Sequence, residues 1–353
     1  MNILNLKTFA ESNFDLVSLG EVLLRFDPED KRIHNARRFL VWDGGAEYNV
    51  AKNLSCVFGQ RTSIVTVLAD NALGQLAEGF VRQNGVDTGN IIRHEHDGTG
   101  ANTRNGLYFI ERGLGIRPPA SCFDRENTAV AQLKNSDFDW QKIFGKKTRW
   151  FHTGGVFTGI SESTPGIALE AMKKAKENGA IVSYDLNYRH SLWQKRGGIE
   201  AANALNHQIL PFVDVVFGTF NFNSIPAKFN INTFQIAAEK MFSEFPRLQI
   251  VVSTLREIHS ASIHDLSAVC ATKDKIFKAN DHRNVQVLDR VGSGDAFASG
   301  FIYGLLTGED LQFAVECGAA HGALVMTTPG DGSMSTLKEV LSLMKGEIAG
   351  AKR

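Results

Sequence analysis

A glycine-rich segment near the carboxyl end, Asp-Arg-Val-Gly-Ser-Gly-Asp at residues 289–295, is followed at once by a small, apolar helical pattern. Backbone N–H groups at a helix N-terminus have no partner within the helix, and the helix dipole favours an anion there. Gly292 and Gly294 let the backbone approach such an anion closely, and Ser293 stands between them. Asp295 falls in the first helical turn, where its charge suits the dipole. Taken alone, the segment is equally typical of an ordinary helix start with a first-turn Asp.

A second glycine motif lies near the amino end, where residues 44–51 read Gly-Gly-Ala-Glu-Tyr-Asn-Val-Ala. Gly44 and Gly45 expose backbone that can bind a ligand hydroxyl at the start of a predicted helix. Asn49 follows one turn later on the same side of that helix. The alternative interpretation is a tight turn that only leads into the helix.

Short apolar runs alternate with helical patterns along most of the chain. The predicted strands are 16–19, 63–68, 149–152, 181–186, 213–217 and 250–253. The clearest helical pattern spans 72–81, with apolar residues in pairs every four positions and a stop signal at Asn84-Gly85. Such alternation predicts an α/β fold with a mainly parallel sheet and helices on both faces.

Two segments interrupt this alternation. Residues 22–43 read as strand, turn and strand, and residues 98–125 read as two strands, the second limited to an edge by a Pro-Pro pair. We interpret both segments as a small β-sheet that forms a lid; surface hairpins without a role are the alternative. The remaining units are a main domain of residues 14–21, 44–97 and 126–353, and an N-terminal extension of residues 1–13.

Composition argues against several classes of protein. The 353 residues include 38 basic and 38 acidic side chains, so the net charge gives no reason to expect nucleic acid or an acidic membrane as partner. The four cysteines form no CxxC pair, which favours free thiols in a reducing compartment. No apolar run suits a signal peptide or a membrane span, and we expect a soluble cytoplasmic protein. A P-loop and a dinucleotide-binding GxGxxG motif are both missing.

Together, the two glycine motifs resemble the paired signatures of the PfkB (ribokinase-like) carbohydrate kinase family. The resemblance covers the chain from about residue 15 to the end, and the turn at Asp70 also looks like the acidic turn of that family. It implies a ribokinase-like three-layer α/β/α fold with a small β-sheet lid. It also implies a sugar substrate, with ATP and Mg²⁺ as cofactors and K⁺ as a possible further one. In the family, the first motif lines the sugar site and the second supplies the anion hole and the catalytic Asp, here Asp295.

Within the family, the chain looks most like the 2-keto-3-deoxygluconate kinases. Four stretches carry this similarity: residues 106–109, 123–125, 183–193 and 254–257. By this similarity, Arg125 and Arg189 hold the carboxylate of the substrate. Tyr108 faces the sugar, and Phe123 stands beside it where those kinases have a tyrosine.

Arginine is the residue type that recognition of a sugar acid needs, because a guanidinium binds a carboxylate through two charge-assisted hydrogen bonds. Arg189 follows the predicted strand 181–186, and ligands of open α/β sheets gather at the carboxyl ends of strands. A solvated surface charge is the alternative for Arg189 and for Arg125. The resemblance places Thr254 and Arg256 on the ATP side of the site.

The implied reaction is phosphoryl transfer to a primary hydroxyl group. Asp295 accepts the proton of that hydroxyl as its oxygen attacks the γ-phosphorus of ATP. The N–H groups of Gly292, Ser293 and Gly294 stabilise the charge that develops on the phosphoryl oxygens. Because such transfer depends on positioning and charge neutralisation, we expect magnesium to accompany ATP, and no residue is assigned as a metal ligand.

The chain departs from the family pattern at two places. Residues 218–223 read Gly-Thr-Phe-Asn-Phe-Asn, where the family usually has an Asn-x-x-Glu motif that organises magnesium and phosphate. Phe123 lacks the hydroxyl of the usual tyrosine. A kinase for a neutral, fructose- or ribose-like sugar or for a nucleoside is therefore one alternative. A catalytically weak sugar-binding or regulatory protein is another.

The expected partners are a small sugar or sugar acid and ATP, with neither nucleic acid nor membrane. The lid strands are edge strands, whose unpaired backbone groups invite pairing with another copy of the chain. Similar kinases often dimerise through such lids. We therefore expect a homodimer that forms through residues 22–43 and 98–125.

Overall fold

The structure of the protein, a computed structural model, describes residues 4–145, 148–220 and 231–347. The strands in chain order are β1 Phe14–Leu19, β2 Leu23–Asp27, β3 Leu40–Gly44, β4 Thr62–Ala69, β5 Val86–Asp87, β6 Ile91–His94, β7 Leu107–Glu111, β8 Ala120–Asp124, β9 Thr148–Gly154, β10 Ile181–Asp185, β11 Val215–Phe217, β12 Ile250–Ser260, β13 Ile263–Ala271, β14 Ile276–Lys278 and β15 His282–Gln286. The helices are α1 Ala46–Cys56, α2 Ala72–Gln83, α3 Trp140–Phe144, α4 Gly155–Thr158, α5 Thr164–Glu177, α6 His190–Trp193, α7 Gly198–Ile209, α8 Ile231–Glu244, α9 Ser293–Leu306, α10 Leu311–Val325 and α11 Leu337–Met344. Within the described ranges, no helix has the length and apolar character that a membrane span requires.

A mainly parallel sheet forms the centre of the fold. Its strand order is β14-β13-β12-β11-β10-β9-β1-β4-β5, with β15 beside β13 and β6 beside β4. The pairs from β12 across to β5 are parallel, whereas β13 runs antiparallel to β12 and β14. Strands β4 and β9 are buried along their whole length, as parallel strands are when helices cover both faces.

Helices cover the sheet on both sides. The neighbouring β1 residues Leu16 and Val17 belong to different apolar clusters, because successive side chains of a strand point to opposite faces. One cluster includes residues of α1, α9 and α10, and the other includes residues of α3, α5 and α8. The predicted three-layer α/β/α architecture with a mainly parallel sheet is therefore confirmed.

A second, small sheet has the strand order β3-β2-β7-β8. Strand β2 pairs with β7 in parallel and with β3 in antiparallel orientation, and β8 is antiparallel to β7. Its strands fall in the two predicted lid segments, except that β3 continues one residue further, to Gly44. Strand β8 follows the Pro-Pro pair and is exposed throughout, as an edge strand is. The small sheet is confirmed, and its function as a lid stays a prediction.

The long hairpin of β12 and β13 differs from the sequence-based expectation. The apolar run predicted a strand over 250–253, but β12 continues to Ser260 and pairs with β13 along almost its whole length. Residues after Leu255 are partly or fully exposed, so hydrophobicity indicated only the buried beginning of the strand. Cross-strand hydrogen bonds hold the remainder, and one sequence alone does not reveal such a partner.

Candidate active site

A cleft of about 700 Å³ lies where the central sheet, the small sheet and the N-terminus of α9 meet. Asp185 at the end of β10 and Phe217 at the end of β11 form part of its wall. The predicted site residues that line it are Gly45, Asn49, Tyr108, Phe123, Arg125, Arg189, Thr254, Arg256, Gly292, Ser293, Gly294 and Asp295. Gly44 lies behind the cleft wall, where a Cβ atom would collide with Tyr108 and Asp331. Residues predicted from six separate stretches of sequence thus surround one cavity.

The turn before α9 is held open by its neighbours. Gly292 has a φ of 78°, and a side chain at this position would run into the carbonyl oxygen of Asp331. The N–H group of Val291 donates to Oδ1 of Asp289 over 3.1 Å. The hydroxyl of Ser293 donates to the carbonyl oxygen of Gly322 over 3.0 Å, which fixes the first helical residue. The first N–H groups of α9 have no carbonyl within the helix to bind, so they are available to an anion.

Asp295 lies in the first turn of α9 and is buried. Burial raises the pKa of its carboxyl group well above the usual value, and a hydrogen bond from Asn49 opposes this shift. The Nδ2 atom of Asn49 donates to Oδ2 of Asp295 over 2.7 Å. A carboxylate with a raised pKa is a stronger base, as removal of an alcohol proton requires.

The amino-terminal glycine motif determines where Asn49 stands. Gly45 has a φ of 144°, and a Cβ atom there would collide with the backbone carbonyl of Glu21. This conformation starts α1 directly after β3 and places Asn49 in the first turns of the helix. Asn49 was expected to contact the sugar, and the structure pairs it with Asp295 while it also lines the cleft.

Tyr108 and Phe123 extend from the small sheet into the cleft. Their rings stack with centroids 5.7 Å apart, and Phe123 remains 46% exposed. The hydroxyl of Tyr108 donates to Oδ2 of Asp331. Phe123 therefore supplies an apolar face to the cleft, whereas Tyr108 is held in place by a carboxylate.

The two arginines expected to bind a carboxylate have different surroundings. Arg125 forms an ion pair with Glu21, and both side chains are largely buried. Arg189 is exposed to the cleft, beside the carboxyl group of Asp185. Burial raises the pKa of Asp185 to about 6, although the positive charge of Arg189 acts against this shift. Among the residues that the structure describes, Arg189 forms no ion pair within 4 Å, whereas Arg125 is paired with Glu21.

The part of the cleft beside the N-terminus of α9 is rich in positive charge. Thr254 and Arg256 extend from β12, and Nη2 of Arg256 donates to the Ser293 hydroxyl over 3.1 Å. Burial lowers the pKa of Arg256 to about 10, with the charges of Arg290 and Arg189 adding to the effect. The charges of Arg290 and Arg256 are close enough to influence each other, and Arg256 contacts the first residue of α9; such a surface suits phosphate groups.

Sequence reasoning missed a buried polar cluster beneath this site. Arg25 of β2 binds Asp27, Asp289 and Asp331, and all four side chains are buried. One signal was present, since Arg25 and Asp27 alternate with apolar residues on a predicted strand. The other partners are hundreds of residues away in the chain, and no local pattern connects them.

The segment that replaces the Asn-x-x-Glu motif is only partly within the described structure. Gly218 has a φ of 93° and lines the cleft, and its N–H group donates to the carbonyl oxygen of Val252 over 2.7 Å. Asn221 and Asn223 lie outside the described residues.

Comparison with known proteins identifies the class to which this fold and cleft belong. The model of the pfkB family of carbohydrate kinases matches residues 13–338, so the chain is a member of that family. It is therefore an ATP-dependent carbohydrate kinase, a phosphotransferase that acts on a sugar hydroxyl.

Individual kinases of this family are similar to the chain over nearly its whole length. The chain is 28% identical to the 2-dehydro-3-deoxygalactonokinase of Haloferax volcanii over 340 residues, which cover 96% of this chain and 99% of the relative. It is 25% identical to the 5-dehydro-2-deoxygluconokinase of Clostridium perfringens, with coverage of 95% and 94%. The crystal structure of the 2-dehydro-3-deoxygluconokinase of Thermotoga maritima matches with a TM-score of 0.85 and 35% identity, over 95% of this chain and 100% of the other. A putative ribokinase II from E. coli, solved with ATP and Mg²⁺, shares the fold at 18% identity and a TM-score of 0.76, over 94% of this chain and 99% of the other.

Proposed function

We propose that this chain transfers the γ-phosphoryl group of ATP to a primary hydroxyl of a small acidic keto sugar, such as 2-keto-3-deoxygluconate. The observation that carries the proposal is that Asp295 lines one cleft together with Arg125, Arg189 and the glycine turn of residues 292–294. The names of the similar kinases, which specify keto-deoxy sugars or their acids, support the same class of substrate.

At the sugar end, the proposed carboxylate contact is Arg189, which faces the cleft. Arg125 also lines the cleft and is the proposed second contact, although its Nη2 atom already binds Glu21. Tyr108, Phe123 and the backbone near Gly44 and Gly45 enclose the sugar.

At the reacting end, Asp295 takes the proton of the attacking hydroxyl, and Asn49 orients its carboxylate. The N–H groups of Gly292, Ser293 and Gly294 bind the phosphoryl oxygens as negative charge develops. Each contribution is electrostatic and preorganised, which is what phosphoryl transfer needs.

ATP is proposed to lie along Thr254, Arg256, Gly292 and Gly294. A Cβ atom on Gly294 would meet no other atom within 4 Å, so the turn leaves open space for a phosphate. A magnesium ion enters with the nucleotide and supplies charge neutralisation; carboxylates beside a phosphate site suit this oxygen-seeking ion, but no residue is assigned as its ligand. Potassium remains a prediction of the family resemblance, and rates in K⁺ and Na⁺ buffers test it.

A neutral sugar or a nucleoside is the second candidate substrate, and one contact favours it. The ion pair of Glu21 with Arg125 neutralises one of the two cations expected to bind a carboxylate. A neutral substrate would leave that pair intact and use its polar atoms as hydrogen-bond partners.

The small sheet is proposed to act as a lid formed by residues 22–43 and 98–125. The proposed main domain comprises residues 14–21, 44–97 and 126–353, and residues 1–13 are an N-terminal extension. We also propose that two copies pair through it. Strand β8 exposes its whole length, and Leu40 and Phe123 add exposed apolar surface to the same sheet. Sedimentation at micromolar concentration tests this, and a monomer would contradict it.

The cytoplasm is the proposed location. Among the described residues the four cysteines are free thiols, two of them exposed, which suits a reducing compartment.

The decisive experiment measures ADP release with Mg-ATP and 2-keto-3-deoxygluconate, fructose, ribose or a nucleoside. Asp295→Asn keeps the shape of the side chain and the bond from Asn49 but removes the base, so kcat should fall by about 10²–10⁴. Asp274→Asn changes an exposed carboxylate and serves as the matched control. Turnover of neutral sugars alone would discard the carboxylate roles of Arg125 and Arg189, and an unchanged kcat in Asp295→Asn would discard the base.

A further inference from the structure

Arg25 is the centre of a buried ionic cluster, which we call the Arg25 cluster: Arg25, Asp27, Asp289 and Asp331. The guanidinium is 0% exposed, and it donates to Asp331 over 2.8 Å, to Asp27 over 3.2 Å and also to Asp289. A buried charge is costly unless it is paired and hydrogen-bonded. Here one cation has three carboxylate partners, and they come from three separate segments of the chain.

Two of these carboxylates shape the turn before α9. Asp289 accepts the N–H group of Val291 through Oδ1 and that of Gly330 through Oδ2, over 3.1 and 3.3 Å. The carbonyl oxygen of Asp331 lies against Gly292, so closely that no side chain would fit between them. Arg25 therefore holds both segments that fix the position of the N–H groups at the anion site.

The same cluster reaches the sugar end of the cleft. Arg25 on β2 and Tyr108 on β7 are direct register partners in the parallel pair, so their side chains point the same way. Both bind Asp331, Arg25 through Oδ1 and Tyr108 through Oδ2. Asp331 is thus bound twice by the small sheet while its backbone touches the phosphate-type turn.

We propose that Arg25 is a positioning residue for phosphoryl transfer, which ties the small sheet to Asp289 and Asp331 and so sets the geometry of the N–H groups of Gly292–Asp295. The inference rests on the proposed function of that turn. Arg25 touches neither substrate, and its effect passes through the two aspartates. The small sheet and the anion site then adopt their working positions together.

The chemistry of the guanidinium suits this role. Burial alone would lower the pKa of Arg25, but the charges of Asp331 and Asp289 outweigh it and raise the pKa, so the cation persists. The planar guanidinium group has five N–H donors at fixed angles and donates to three carboxylates. A lysine ammonium group does not reproduce this geometry. Arg25→Lys therefore keeps the charge and loses the geometry.

The first test is steady-state kinetics of Arg25→Lys on whichever sugar the wild-type protein phosphorylates. A misplacement of about 1 Å in a catalytic group costs up to about 10²-fold, so we expect kcat to fall roughly 10- to 100-fold. The Kd of a non-hydrolysable ATP analogue should stay within about threefold, because Thr254 and the cleft arginines are untouched. An unchanged kcat would overturn the proposal.

Two carboxylate variants form a matched pair. Asp289→Asn and Asp27→Asn each remove one charge from the Arg25 cluster, but only Asp289 binds the turn. We expect kcat to fall about tenfold or more in Asp289→Asn and to change less than about threefold in Asp27→Asn. An equal loss in both variants would mean that the cluster only stabilises the fold.

Hydrogen exchange on the ligand-free protein tests the proposal without turnover. The N–H groups of Val291 and Gly330 should exchange faster in Arg25→Lys and in Asp289→Asn than in Asp27→Asn. Equal exchange in all three variants would overturn the role of Arg25. Because this measurement needs no substrate, it separates a failure of this inference from a failure of the proposed sugar kinase activity.

Discussion

Asn49 and Asp295 are 246 residues apart in the chain, and the amide of one donates a 2.7 Å hydrogen bond to the carboxylate of the other. The two glycine motifs are thus joined through the helices that each of them starts. Asn49 stabilises the charged form of Asp295, whereas burial favours the neutral form. The balance between these effects decides at which pH the carboxyl group of Asp295 ionises.

Replacement of Asn49 should move the acid limb of the pH–rate profile. Asn49→Ala removes a hydrogen bond to the charged carboxylate, so the pKa of Asp295 rises further. Activity requires ionised Asp295, so on acidification the variant should lose activity at a pH about 1–2 units higher than the wild type does. A hydrogen bond to a charged group contributes about 1.5–3 kcal/mol, which corresponds to this shift. The profile of kcat/KM measures the shift, with Asn280→Ala at an exposed position as control. An unmoved acid limb would contradict the pairing.

Removal of the counter-ion of Arg125 should favour acidic substrates. Glu21→Gln leaves the guanidinium of Arg125 without a charged partner, so a substrate carboxylate meets less competition. We expect KM for a sugar acid to fall by about three- to tenfold, while KM for a neutral sugar stays nearly constant. Arg125→Gln is the complementary variant and should raise KM for the acid alone. Equal effects on both sugars would show that the pair is structural.

Arg256 should matter for the nucleotide more than for the sugar. Arg256→Gln removes the cation that donates to the Ser293 hydroxyl at the start of α9, and we expect KM for ATP to rise about tenfold or more. Arg283→Gln is the matched control, since Arg283 lies on the same sheet and binds Asp265 outside the cleft. A larger change in KM for the sugar than for ATP would refute the assignment.

Glu47 should make the stability of the fold depend on pH. Burial raises the pKa of Glu47 to about 7, although the N–H group of Phe157 donates to its Oε1 atom over 2.9 Å. Between pH 4.5 and about 7, Glu47 is therefore protonated in the folded state and ionised in the unfolded chain. Its contribution to the free energy of unfolding is complete below pH 4.5 and is lost as the pH rises to about 7.

Thermal unfolding of Glu47→Gln tests this sign. The variant keeps the hydrogen-bond acceptor without the charge. The difference in Tm, variant minus wild type, should therefore increase by a few degrees from pH 5 to pH 8. A difference in Tm that is constant over this range would show that Glu47 does not titrate there.

The parts of the molecule that follow local rules were predictable from sequence. Helix α2 ends beside Asn84-Gly85, with Gly85 at a φ of 70°, and α9 begins at the glycine turn as the motif indicates. Periodic apolar residues report burial on one face, and glycine reports a backbone that other residues avoid. These signals were sufficient for the layers of the fold and for the two glycine turns at the cleft, whereas Tyr108, Arg125 and Arg189 were expected there through the family resemblance.

The parts that depend on distant pairing were not predictable. Nothing near Arg125 in the sequence indicates Glu21, and nothing near Asn49 indicates Asp295, because tertiary folding alone brings them together. The full length of β12 is hidden for the same reason, since its outer half is held by β13 and not by burial. The residue type at a motif position suggests a role, as Arg125 suggests carboxylate binding. Whether the side chain is available for that role depends on its ionic partner, here Glu21.

Arg25 and Asp331 are 306 residues apart, which sets an order of events during protein synthesis. When Arg25 leaves the ribosome, two of its three carboxylate partners have not yet been translated. In a nascent chain, Arg25 therefore has Asp27 as its carboxylate partner within the cluster until Asp289 and Asp331 have been synthesised. A product that ends before Asp289 would contain Arg25 and Tyr108 without Asp331, to which both bind, so such a truncated chain should be an early substrate for chaperones and proteases.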